Sequence, residues 1–121
     1  MAMRTLTAAG VVVSAFVHLW LWIDGFRDIH VIGPAFMVNA VAGAVIAVLL
    51  LTWRSWIPLV LAVGFGASTL GAFVLSTTVG LFGTHEVWSG GWVMAAAISE
   101  AVAIVAGLLA LRRENALPAR V

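Results

Sequence analysis

Cysteine, lysine and tyrosine are absent from this chain, and charged residues make up only 9% of it. Without cysteine there is no thiolate nucleophile, disulfide, iron–sulfur cluster or Cys-type zinc site. Without lysine no Schiff base forms, which excludes retinal-type pigments and lysine-dependent catalysis. Without tyrosine there is no phenol to donate a proton or carry a radical. The scarcity of charge excludes most. Soluble domains carry roughly 25% charged and about 45–50% apolar residues. Here 121 residues are 64% hydrophobic with a mean hydropathy of +1.16. Too little polar surface remains to cover a globule in water. A soluble enzyme, a nucleic-acid-binding module and a disordered chain are all excluded, and the lipid bilayer is the expected partner.

Four apolar stretches reach the roughly 20 residues that a spanning helix needs. They run over 5–23, 34–53, 57–80 and 92–111. Asp24-Gly25 stops the first. Pro34 and Pro58 stand where the second and third begin, a position at which the missing N–H costs nothing. Arg112-Arg113-Glu114 closes the fourth, leaving residues 114–121 as a polar tail. The N-terminal run is too long for a signal-peptide core and is expected to stay as the first helix. No repeat or low-complexity stretch interrupts the chain. The expected fold is all-α: one polytopic membrane domain over 1–121, a four-helix up-down bundle.

With four spans, Arg4, Arg54, Arg112, Arg113 and Arg120 fall on one side and Arg27 alone on the other. The positive-inside rule then puts both termini in the cytoplasm. The six tryptophans fall near the expected interfaces, where an indole sits best. Arginine without lysine, with abundant alanine, valine and glycine, suits a high-GC bacterial genome and a bacterial plasma membrane.

Polar residues inside the spans carry the functional signal. At 1.5 Å per residue, His18 lies about 9 Å, Asn39 about 8 Å and Glu100 about 12 Å below the outer boundary. Ser76, Thr77 and Thr78 end the third span at that side, with Thr69 deeper. His18, Asn39, Ser76 and Glu100 therefore form an expected buried polar layer. Each shares its helix face with small residues: Ser14 and Gly25 for His18, Ala96, Ala103 and Gly107 for Glu100, Gly43 for Asn39, and Gly66 for Thr69 and Ser76. Small residues let helices approach closely, which makes these the expected packing faces. A clasp of hydrogen bonds would explain the layer without any further role. So would a site that binds something or moves a proton, because histidine titrates near neutrality.

Above the layer lie the outer segments 24–30 and 82–88, which hold His30, His85 and Glu86. Together with His18 and Glu100 they could furnish ligands to a divalent metal, since imidazole and carboxylate suit zinc, copper(II) or manganese. No pair has the spacing of a strong metal motif. A lone intrahelical histidine argues against bis-histidine haem.

The segment Phe36–Gly43 looks somewhat like the asparagine-bearing second helix of the small fluoride channels, and Gly64–Thr69 is faintly similar to their third. The Phe/Ser/Thr pattern that follows in that family is missing, and a five-to-one arginine bias departs from channels that insert both ways. Small multidrug exporters need a glutamate in helix one, whereas the membrane glutamate here is Glu100. The chain is therefore assigned to no family. The expected function is a small non-enzymatic accessory or assembly subunit of a larger membrane complex. A self-associating proton-coupled transporter or channel using Glu100 and His18 is the alternative. A metal-binding or oxidoreductase protein using the outer His/Glu cluster is the second.

Overall fold

The computed structural model describes residues 2–80 and 90–115. They form α1 (Ala2–Asp24), a single 3₁₀ turn at Phe26–Asp28, α2 (Ile32–Thr52), α3 (Ile57–Thr78) and α4 (Gly91–Asn115). All four α-helices are long and apolar enough to cross a membrane. They pack as a bundle in which α1 lies against both α2 and α4, and α3 against α4. The seam between α2 and α3 is thin, α1 and α3 touch still less, and α2 does not meet α4 among the described residues.

The helices start and end close to the expected positions, with two instructive differences. Pro34 stands inside the first turn of α2, which begins at Ile32; its missing N–H would have been unpaired there anyway. The expected polar tail starting at Glu114 is also corrected, because α4 continues through Glu114 to Asn115. An ion pair across the bundle, described below, holds that last turn. Residues 116–121 lie outside the described residues.

Burial on α1 follows the helical period: Arg4, Thr7, Ala8, Gly10, Val11, Ser14, Ala15, Val17 and His18 are covered, and most residues between them face outward. Lipid is as apolar as a leucine side chain, so burying such a stripe does not by itself drive helices together in a bilayer. Close packing and interhelical hydrogen bonds must do it. The core accordingly is built of small residues around a few large ones: Ala8, Val11, Ala47, Leu50, Leu59, Ala62, Phe65, Ala103 and Ala110. Glycines make the closest crossings. A Cβ on Gly10 would stand 2.7 Å from the Ser99 carbonyl oxygen, and one on Gly66 2.9 Å from that of Glu100. α1 and α3 thus both rest directly on the α4 backbone, on either side of Glu100.

Candidate functional site: the Ser14, His18 and Glu100 cluster

His18 and Glu100 come together through Ser14, expected on the His18 face but not as a member of the polar layer. Ser14 stands one turn before His18 on the covered face of α1, and its hydroxyl donates to Glu100 Oε2 at 2.9 Å. The same hydroxyl lies 3.5 Å from His18 Nδ1. That nitrogen is also 2.7 Å from the Ser14 carbonyl oxygen. All three side chains are shut away: relative exposure is 0% for Ser14, 1% for Glu100 and 8% for His18. Only the small faces around them permit this. Gly10, one turn before Ser14, brings α1 onto α4, and Ala103, one turn beyond Glu100, is fully buried.

A carbonyl can only accept, so the 2.7 Å contact assigns the ring hydrogen to Nδ1. Nε2 is then the basic nitrogen of neutral His18. Phe36 of α2 meets the ring edge-on at a centroid distance of 4.7 Å, and Phe26 stacks on Phe36 at 4.8 Å. Phe26 belongs to the 3₁₀ turn, whose neighbours Asp24, Arg27 and Asp28 are exposed. Two aromatic rings therefore stand between His18 and a polar surface. The connection beneath them is tightly held. A side chain on Gly33 would collide with the Arg27 and Phe26 carbonyls. Val31 takes a φ of +66°, a conformation that strains a β-branched residue.

The other members of the expected layer go elsewhere. Asn39 Nδ2 donates to Thr69 Oγ1 at 2.9 Å, joining α2 to α3 at their thin seam. Its Oδ1 is buried with no partner among the described residues. Ser76 is buried, but its hydroxyl donates to Phe73 O of its own helix. Ser68, Thr69 and Ser99 likewise bond to carbonyls within their own helices. Polar groups thus join two separate helix pairs instead of closing one ring.

Among the described residues no three histidine, aspartate or glutamate side chains converge as a metal ion requires. His30 is exposed in the 25–31 connection. His85 and Glu86 lie outside the described residues. Of the expected packing residues, Gly43 meets Ala15 and Phe65, Gly66 meets Glu100 and Ile104, and Gly107 meets Val63 and Thr7. Ala103 is buried, whereas Ala96 is only partly covered.

A second polar cluster occupies the opposite end of the bundle, built on an arginine that the sequence marks only as an orientation signal. Arg4 is 2% exposed. Its Nε and one terminal nitrogen donate to the two oxygens of Glu114, at 3.2 and 2.7 Å. The remaining contacts go to carbonyls of Leu50, Trp53 and Ser55, at 3.4, 3.1 and 2.8 Å. A guanidinium has five N–H donors, and Arg4 makes a contact for each. These carbonyls lie at the C-terminal end of α2, where orphan acceptors and the helix dipole both favour a cation. One side chain thereby ties α1, the α2–α3 turn and the end of α4.

Comparison of the chain with protein-family models, with curated proteins and with solved structures finds no match.

Proposed function

We propose that this chain is a small non-enzymatic subunit of a larger membrane complex. In this reading it is a polytopic protein of a bacterial plasma membrane, its helices running up and down with both termini in the cytoplasm. One observation carries the subunit reading: the unequal use of helical glycines. Gly10, Gly43, Gly66 and Gly107 are each filled by a neighbouring helix of the bundle. Gly64 and Gly71 have open space instead, with nothing within 4 Å of a Cβ. They lie on one outward face of α3 with Val60, Ala67, Ser68 and Leu75, all exposed. Inside the bundle such small-residue faces bring helices to close approach. The α3 face has the same make-up and suits a transmembrane helix of the partner.

A photo-crosslinking residue at Ser68, in cells that make the protein natively, tests this. The expected product is an adduct with a different membrane protein, lost when Gly71→Leu fills the face. Adducts with lipid or a second copy alone would overturn the subunit reading. The orientation is supported by the arginine bias and is tested separately. The chain contains no cysteine, so single replacements have no background. Asp28→Cys in intact cells is expected to react with an impermeant maleimide, and Ser55→Cys only after lysis. The reverse pattern would invert the topology.

A further inference from the structure

The subunit reading leaves the buried Ser14, His18 and Glu100 cluster without a task, and a clasp needs no ionisable groups. We propose that the cluster is a proton-transfer path, in which a proton taken up at His18 Nε2 from the side of the 25–31 connection is delivered through Ser14 to the Glu100 carboxylate.

The order of donors motivates the direction. His18 Nδ1 carries a hydrogen, because the Ser14 carbonyl 2.7 Å away can only accept it. The Ser14 hydroxyl in turn points its hydrogen at Glu100 Oε2, at 2.9 Å. Both hydrogens thus stand on the donor side of the next acceptor in line. The step between them spans 3.5 Å and closes when the ring turns from the Ser14 carbonyl toward the hydroxyl of the same residue.

The transfer balances without any co-reactant. A proton from hydronium adds to Nε2, leaving neutral water, and makes the imidazolium. The Nδ1 proton passes to Ser14 Oγ while the hydroxyl's own proton passes to Oε2. Neutral His18, now carrying its hydrogen on Nε2, an unchanged Ser14 and a protonated Glu100 remain. The path resets by the same steps in reverse: Glu100 returns its proton through Ser14 Oγ to His18 Nδ1, and Nε2 gives its proton back to water.

Few other groups compete. From α2 the ring is faced by Phe36, which does not ionise. From α4 the carboxyl's neighbour Ser99 donates its hydroxyl to Ala96 O. α3 approaches the Glu100 backbone with Gly66. The other charged or titratable residues described, Arg4, Asp24, Arg27, Asp28, His30, Arg54, Arg112, Arg113 and Glu114, lie toward the helix ends or in the connections. Among the described residues, the Phe26–Phe36 stack is the aromatic cover between His18 and the exposed 3₁₀ turn. In this path Ser14 is a positioning and relay residue, and Glu100 is the acceptor.

Time-resolved infrared spectroscopy after an acid jump, on the full chain in lipid vesicles, reads the path directly. A protonated-carboxyl stretch is expected to rise, and its absence in Glu100→Gln assigns it. Ser14→Ala is expected to slow that rise by about 100-fold, the scale of losing a positioned proton-transfer group. Ser14→Thr, which keeps the hydroxyl, is expected to restore it. His18→Gln keeps a donor for the Ser14 carbonyl but cannot take up a proton, and is expected to slow the rise equally. It decides the matter if Ser14→Ala does not fold. A Glu100 band rising at the unaltered rate in these variants, or no such band at all, would overturn the proposal. Neither result depends on the crosslinking outcome, so the two readings fail separately.

Discussion

Replacing Arg4 with methionine is expected to cost the bundle about 3 kcal/mol, the lower end of what losing one partner of a buried ion pair costs. The lower end applies because the Glu114 side chain is 23% exposed and regains some water. The loss is not confined to the ion pair. The Leu50, Trp53 and Ser55 carbonyls lose their donor together, at the end of α2 where the helix dipole is already unfavourable. Arg4→Lys should recover only part of the loss, because an ammonium has three donors and no planar fork. Glu114→Gln, which retains one acceptor, should be milder than Arg4→Met. Arg113→Met is the control, since Arg113 is exposed and surface changes stay within about 0.5 kcal/mol. Thermal unfolding in a mild detergent, followed by circular dichroism, ranks the four variants. If Arg4→Met proved as stable as Arg113→Met, the clasp would be a contact without energetic weight.

Gly10→Leu is expected to damage the protein as severely by a different route. Even a Cβ there would lie 2.7 Å from Ser99 O and 3.0 Å from Ala103 N, both atoms of the α4 backbone. A side-chain tip can swing aside, but a helix backbone cannot. α1 and α4 must therefore separate along the crossing that brings Ser14 to Glu100. Overpacking of this kind costs about 1–3 kcal/mol, and the broken Ser14–Glu100 bond adds to it. Glu100 would then be left buried without its donor. The matching control is Gly71→Leu, the same chemical change where nothing lies within 4 Å. The pair is compared by the detergent concentration at which each bundle dissociates. Equal values would mean that the α1–α4 crossing is looser than these distances require.

The helices and their inward faces were largely legible from residue order. Uninterrupted apolar runs of spanning length can hardly do anything but form helices in a membrane, where every backbone group needs an internal partner. Polar and small residues recurring at three- and four-residue spacing mark one face of each helix. That is why His18 and Glu100 were expected to point inward, and why Gly43, Gly66 and Gly107 were expected to lie at crossings. Ser14 was within reach of the same reasoning, since it stands one turn from His18 on the same face. Its partner was not legible, because a serine in a helix usually bonds its own backbone, as Ser76, Ser68 and Ser99 do, and only the packing of α1 on α4 gives Ser14 an acceptor on another helix. Arg4 was misjudged for a related reason. A lone arginine before an apolar run is a common orientation signal, and nothing local marks one that folds back under the bundle.

Sequence periodicity therefore decided which residues face inward, because helical spacing is a local property of the chain. It could not decide which inward residues meet. Ser14 and Glu100 are 86 residues apart, Arg4 and Glu114 are 110 apart, and Asn39 and Thr69 are 30 apart. Each pairing depends on which helices are neighbours, on their rotation about their own axes and on their relative height. The similar depths of His18, Asn39 and Glu100 suggest one polar layer, yet the packing parts them, giving Glu100 to α1 and Asn39 to α3. Backbone contact at Gly10 and Gly66 sets how closely α1 and α3 approach α4. Those contacts exist only in the folded bundle.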